Sequence, residues 1–346
     1  MKSSIAIRST LASFYNSFGL ISWKLRTYSQ YNFLFLTYHR ILSREKAGTQ
    51  VQAGMYVEPE TFETHIHFLE RHLNIISISE FLSNFRKDFG TSSIRPFCIL
   101  TFDDGWYDFY QYVFPILKTY QIPATVFLPT NFIGTTKCFW TDSLAKLFSQ
   151  RQRAESKERR VRIKTFSSNY LTNQLENLKG SKESKLEKAM QILKAYRDEE
   201  IEEILSYLSR NWNLNPEPLD RSFLSWEEVR EMAQSGLISF GSHTASHRIL
   251  TTLTDTEIQG ELVRSKERLI LEKVVDPSFI PFSYPNGSYD EKIAKMVKEV
   301  GYNLAVNTEG GWNHLGSNPF TLRRIAIHQD MTSTEAMFGC RITNIF

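Results

Sequence analysis

Cysteine is scarce in this 346-residue chain. Cys98, Cys138 and Cys340 stand far apart and no CxxC pair occurs. That excludes a disulfide scaffold and a thiolate zinc site and favours a reducing compartment. Long apolar runs are also missing: nothing approaches the ~18 residues of a membrane-spanning helix, and pieces such as Phe33–Leu36 are strand-sized. Charge bias is absent too, since 41 Lys and Arg against 38 Asp and Glu leave only +3. A balance so close to neutral offers no argument for a nucleic-acid partner. Hydrophobic residues at 41% and charged residues at 23% exclude a disordered or low-complexity chain.

Acid is missing from one place in particular. Residues 1–44 hold no Asp or Glu but carry Lys2, Arg8, Lys24, Arg26, Arg40 and Arg44. A secretory leader needs an uninterrupted apolar stretch, and Arg8, Ser9, Thr10 and Asn16 break every candidate. Three readings of residues 1–30 stay open: a docking helix, an amphipathic helix lying on an anionic membrane, or a targeting segment. The expected location is the cytoplasm, with peripheral contact at the inner membrane face through residues 1–30.

What the chain does have is alternation. Short apolar runs at Leu34–Tyr38, Cys98–Phe102, Ala124–Leu128, Leu237–Phe240, Phe279–Phe282, Leu304–Val306 and Thr321–Ile327 read as parallel strands buried on both faces. Helix-period segments lie between them at Pro59–His72, Tyr107–Tyr120, Trp226–Ser235, Asp255–Leu271 and Tyr289–Val300, and Ser225 with Glu228 forms a capping box. Seven strands alternating with helices predict a β/α barrel or an open doubly wound sheet. Residues 143–222 interrupt the pattern with 16 basic and 12 acidic residues and one glycine. Leu186, Met190, Leu193, Ile201, Ile204, Leu205 and Leu208 recur there at helical spacing, which predicts a helical insertion. Its Arg151–Lys164 piece is strongly basic, read as a solvated helix face or a contact for an anionic polymer or membrane.

Two clusters of chemistry stand at strand ends. Thr101-Phe102-Asp103-Asp104-Gly105 closes the second strand with adjacent carboxylates. Neighbouring strand side chains point opposite ways, so the pair has two jobs unless the backbone turns at Gly105. His243 and His247 follow the fourth strand four residues apart, and would share a face if the segment were one helical turn. Two imidazoles and one Asp make three ligands with an open position, the catalytic pattern for zinc, and leave the other Asp free as a base. His65 and His67 look like a further ligand pair, but i and i+2 do not face each other on a helix, so both are expected at the surface.

TFDDG, then HTASH, then Phe282-Ser283-Tyr284-Pro285-Asn286-Gly287 resemble, in this order, the motifs of the polysaccharide deacetylases, carbohydrate esterase family four with the NodB homology domain. The branch resembled is the one with a YPxG third motif. The resemblance runs over about residues 31–330 outside the insertion and implies a distorted (β/α)7 barrel. The expected organisation is therefore an N-terminal helix over 1–30, then a barrel domain over 31–346 interrupted by the helical insertion 143–222.

The resemblance assigns Asp103 as general base and Asp104, His243 and His247 as ligands of a divalent metal. Zinc is the default for that donor set, with cobalt, manganese or nickel able to substitute. It places Tyr284, Pro285, Asn286 and Gly287 along the substrate groove, with a backbone N–H of the turn offered to the oxyanion. Ser283 stands where many members carry an arginine that orients the base, and Arg324 is expected to replace it. His328 is the first choice for general acid and His314 the second. His39, ending the first strand, is assigned to substrate or to packing, and Trp312 to stacking on a sugar or to the core. The implied activity is removal of N-acetyl groups from a sugar, a polysaccharide, or its lipid- or nucleotide-linked precursor. The alternative is a catalytically impaired glycan-binding relative; a non-haem iron triad fits poorly, because its usual His-x-Asp spacing is missing. Oligomeric state is not legible.

Overall fold

The structure, a computed structural model, describes residues 2–28, 31–50, 54–85, 95–157, 171, 174–175, 177–180, 182–214 and 221–345. Seven parallel strands carry the architecture: β1 (Asn32–Tyr38), β2 (Phe97–Phe102), β3 (Ala124–Leu128), β4 (Ile238–Ser242), β5 (Pro281–Ser283), β6 (Leu304–Val306) and β7 (Ile325–Ala326). Each pairs with the next through β6. Leu322, just before β7, bridges Val306 of β6. β7 then pairs with β1 at Leu36–Ile325 and Thr37–Ala326. The ladder returns to its start, giving a distorted seven-stranded β/α barrel. Every residue of β2 and β3 is buried, and so is β1 past Asn32. That two-sided burial is why these strands read as continuous apolar runs.

Three elements differ from the sequence pattern for local reasons. Phe279 does not open β5; it bridges back to Asp276 in a turn that Asp276 caps through the Ser278 N–H. Only Ile325–Ala326 of the expected last strand is strand, because Leu322 is committed to β6 and Arg324 turns inward. The segment after Gly105 begins as a wide turn over Phe109–Val113 and becomes α-helix at Phe114–Tyr120, where Pro115 lacks an N–H to donate. The Trp226–Gln234 helix starts as the sequence indicates: Glu228 N–H donates to Ser225 Oγ, and the Ser225 N–H donates to the Glu228 carboxylate.

The chain divides into two compact units. One comprises residues 1–43, 54–135 and 223–346 and contains the barrel; the other comprises 44–53 and 136–222. In the barrel unit, Phe33, Phe35, Phe81, Phe97, Ile99, Phe127 and Leu304 share one cluster. The Lys2–Ser17 and Leu20–Arg26 helices pack on the C-terminal Glu335–Ile342 helix, burying Ala12, Ile21 and Leu25. Gly339 permits this approach, since a Cβ there would come within 2.8 Å of Ile21. The second unit has an aliphatic core from the Trp140–Lys157, Lys182–Leu193 and Asp198–Trp212 helices, including Leu144, Leu147, Met190, Leu193, Ile204 and Leu208. Its boundary starts at Thr136 and takes in the Arg44–Gln50 helix, a partnership across some 90 residues that helical spacing could not reveal. Residues 158–164 of the basic stretch lie outside the described residues.

Candidate active site

The C-terminal ends of β2, β4 and β5, with the loop before β7, converge on two adjacent carboxylates, the end of a β/α barrel where reacting groups gather. Asp103 and Asp104 face one site because the backbone turns. Asp104 has φ 74° and Gly105 φ 62°. A Cβ on Gly105 would come within 2.7 Å of Leu128, so only glycine fits there.

Both oxygens of Asp103 are engaged, with room left to accept. Arg324 Nη1 donates to its Oδ1 at 2.7 Å and Nη2 to its Oδ2 at 2.6 Å. The same guanidinium reaches Thr101 Oγ1, Ser283 Oγ and the Asn307 carbonyl, and it is wholly buried. Burial pushes the Asp103 carboxyl up, but the charge and hydrogen bonds of Arg324, with His243 and His39 nearby, outweigh it and hold the group below its ordinary value. Ser283, which stands where an arginine was expected, donates to Asp103 Oδ2 at 3.4 Å and accepts from Arg324.

Asp104 is arranged differently. Its Oδ2 accepts from Trp106 Nε1 at 3.0 Å, while its buried Oδ1 accepts no hydrogen bond from a well-placed donor. Around that oxygen stand His243 Nε2 at 3.4 Å and His247 Nε2 at 3.2 Å. His243 Nδ1 donates to the Ser283 carbonyl at 2.8 Å, which turns the other ring nitrogen's lone pair toward Asp104. The three ligand atoms lie within 4.8 Å of one another. Tetrahedral bonds of ~2.0–2.1 Å put neighbouring ligand atoms about 3.3–3.4 Å apart, and the two separations from Asp104 Oδ1 match a zinc-type cation. Burial works against the Asp104 charge, but the His243 and His247 rings beside it and the charge of His39 hold its carboxyl well below the usual range.

The histidines do not lie on a helical turn. Thr244 and His247 both have positive φ, at 65° and 60°, and His247 N–H donates to Thr244 Oγ1. Buried Glu261 clamps the loop by accepting from the N–H and the hydroxyl of Ser246. A left-handed loop thus does what a helix was expected to do.

His39 is half-buried where β1 ends, close enough to Asp104, Asp103, Arg324 and His243 for their charges to act on it; burial leads and lowers its pKa. His328 lies near His39, with a buried Nδ1 that has no hydrogen-bond partner, and burial lowers its pKa to about 4.

Other expected site residues are engaged elsewhere. Tyr284 is fully buried, stacks on Tyr289 and donates its hydroxyl to the Phe320 carbonyl. Within the turn Tyr284 N–H donates to Val306 and Gly287 N–H to Tyr284, Pro285 has none, and Ser288 just beyond donates to Pro285. The oxyanion role assigned to that turn is corrected for these donors. Pro285 is buried, Asn286 is exposed with φ 57°, and Gly287 is sterically required, since a Cβ would meet Thr308 at 1.9 Å. Trp312 stacks on Tyr28 at 3.9 Å and donates to the Ile342 carbonyl, so its ring belongs to packing rather than to a sugar. His314 pairs with Asn32 at the start of β1, the opposite end of the strand from the site, and is excluded as general acid. His65 is not at the surface: it is buried, stacks on Phe338, and bonds Tyr38 Oη and the Thr332 carbonyl. His67, two residues on, is exposed, as the helical spacing requires.

Sequence reasoning missed a supporting chain behind Asp104. Arg40 lies 4.0 Å over the Trp106 ring and is salt-bridged to buried Asp108, which also accepts from the Ile41 N–H. The signal was present as Trp106 two residues after Asp104, but indole-to-carboxylate contacts are not a motif.

The family model for polysaccharide deacetylases matches residues 92–305. The chain belongs to the polysaccharide deacetylase family. A Bacillus subtilis protein described as a polysaccharide deacetylase is 32% identical over 122 residues, 35% of this chain and 42% of that protein. The poly-β-1,6-N-acetyl-D-glucosamine N-deacetylase of Staphylococcus epidermidis is 27% identical over 221 residues, covering 61% of this chain and 72% of that protein. The match therefore spans less than half of the Bacillus protein's length. Among solved structures, a Streptococcus pyogenes deacetylase in complex with acetate superposes with a TM-score of 0.55 at 19% identity, over 87% of this chain and 94% of that one. A protein from Ammonifex degensii superposes at 0.56 and 15% identity, over 89% and 97%. These likenesses are to the deacetylase fold.

Proposed function

We propose that this chain hydrolyses the acetamido group of an N-acetylated glycan, releasing acetate and a free amine. A β-1,6-linked N-acetylglucosamine polymer is the first substrate to try, because that is what the staphylococcal relative is named for. The observation that carries the reading is the unequal pair of carboxylates: Asp103 locked by Arg324, and Asp104 with an open oxygen between two imidazoles.

Asp104, His243 and His247 would hold a divalent cation. When bound, that ion supplies Lewis acidity toward the acetyl carbonyl and acidifies a water. Asp103 accepts the water's proton. Its lowered pKa keeps it ionised and able to accept at neutral pH. Arg324 fixes the direction in which Asp103 accepts. The amine must gain a proton as the C–N bond breaks, and His328 is assigned that transfer on its unpartnered Nδ1. Held near 4, His328 is neutral at pH 7, so it relays the proton taken from water rather than bringing one of its own. His39, near both carboxylates, is assigned to contact the sugar. An impaired, binding-only relative is disfavoured by Ser283: its hydroxyl fills the altered third motif and joins the Asp103–Arg324 pair.

The test is acetate release from β-1,6-linked N-acetylglucosamine oligomers, chitin oligomers and peptidoglycan fragments, with chelated protein and after adding zinc or cobalt. Release from at least one glycan, abolished by chelation and restored by metal, is expected. Metal-loaded protein that binds these glycans and frees no acetate would overturn the reading.

A further inference from the structure

The first helix buries one side and leaves the other bare. Ala12 is fully covered, with Ile21 and Leu25 of the next helix, where the pair meets the C-terminal helix. The outward side carries Ile7, Leu11, Phe14 and Phe18, between 44% and 74% exposed. Their spacing of four, three and four residues sets them in one stripe along the Lys2–Ser17 helix and its exit turn. The Phe14 and Phe18 rings lie 4.4 Å apart, tilted by 44°, so the stripe is continuous there. Trp23, 61% exposed, extends it on the following helix. Exposed apolar residues usually occur singly, and five large ones on two consecutive helices mark a contact surface.

Charge identifies what it contacts. Arg8 and Arg26 are exposed and Lys24 is half-exposed on the same two helices, which contain no acid. An apolar stripe on helices whose only charged side chains are cations complements an anionic lipid surface: rings enter the acyl boundary and basic groups stay at the headgroups. Trp23 is the residue type that favours that boundary. A second copy of the same surface would bring like charges together. The first helix is 16 residues long, and no described helix is long and apolar enough to cross a bilayer, so the geometry is that of lying flat. The surface is fixed to the barrel unit, since Tyr28, just after the helices, stacks on Trp312, which bonds the end of the C-terminal helix.

We propose that the outward face of residues 7–26 is a docking surface for an anionic lipid bilayer.

The full chain is sedimented with vesicles of phosphatidylcholine alone or with 30% phosphatidylglycerol, at low and high salt. Binding to the anionic vesicles should exceed that to neutral ones by at least about tenfold and weaken in high salt, as a few basic contacts require. The triple variant Phe14→Ser, Phe18→Ser, Trp23→Ser should lose about tenfold or more, and Arg8→Gln with Arg26→Gln should lose most of the preference for anionic lipid. Both variants should keep the wild-type melting temperature, because the replaced side chains are exposed. No sedimentation with anionic vesicles, or equal binding by wild type and the triple variant, overturns the proposal. So does a dimer that the triple variant abolishes while wild type ignores vesicles.

Discussion

The two sides of the site use the same residue type in opposite ways. On the arginine side, both oxygens of Asp103 are engaged by one buried guanidinium, itself tied to Thr101, Ser283 and Asn307. On the histidine side, Asp104 has one oxygen fixed by Trp106 and one left bare between two ring nitrogens. A buried polar atom without a partner is costly. Its survival beside a carboxylate locked by a guanidinium teaches that the arginine side holds a base in a fixed direction and that the histidine side is a receptor.

The strongest way to break this contrast is to unlock the arginine side. Arg324→Met should leave Asp103 as an unpaired buried charge and cost about 3–5 kcal/mol of stability. Denaturant unfolding reads this directly. A loss below about 1 kcal/mol would mean that the pair is not the structural anchor described.

A second buried histidine sharpens the comparison, because His65 has a hydrogen-bond partner at each ring nitrogen. Burial lowers its pKa from 6.5 to about 4, against the backbone hydrogen bond to Thr332, which raises it. Above pH 6.5 it is neutral in both the folded and the unfolded chain. Between 6.5 and 4 the unfolded chain takes up a proton that the folded one refuses, so stability falls as pH falls, by up to about 3 kcal/mol. His65→Gln should show a shallower decline in melting temperature from pH 7.5 to 4.5. Identical slopes would contradict the assignment.

Much of the receptor side was legible in the sequence. Asp103, Asp104, His243 and His247 sit at strand ends in short motifs, and local spacing suffices to mark them. Arg324 was reachable only through family resemblance, because it meets Asp103 across 221 residues. The misplaced readings of Tyr284 and His65 share a cause with the choice left open at Trp312. Trp312, Tyr284 and His65 are judged by what lies around them, and neither residue type nor spacing reveals that Tyr28, Phe320 or Thr332 has already claimed them. The left-handed backbone at Thr244 was equally hidden, since the loop is held by groups distant in sequence, the Thr130 and Asn131 N–H groups and Glu261.

Smaller effects probe each side singly. Trp106→Phe keeps a ring between Arg40 and Phe223 but removes the N–H on Asp104 Oδ2. Loss of such an outer partner should weaken metal binding about 10–100-fold, read by competition with a chromophoric chelator. Unchanged affinity would show that Asp104 needs no such support. Ser283→Ala removes hydrogen bonds to Arg324 and Asp103 and should cost only about 0.5–1.5 kcal/mol, measured by unfolding.

The most direct test exchanges the two carboxylates one at a time. Metal content by elemental analysis and acetate release are measured together on Asp103→Asn and Asp104→Asn. Asp103→Asn should keep its full metal complement and lose turnover about 10²–10⁴-fold, whereas Asp104→Asn should lose the metal itself. An Asp103→Asn protein emptied of metal, or an Asp104→Asn protein that retains it with full activity, would contradict the division of labour between the two carboxylates.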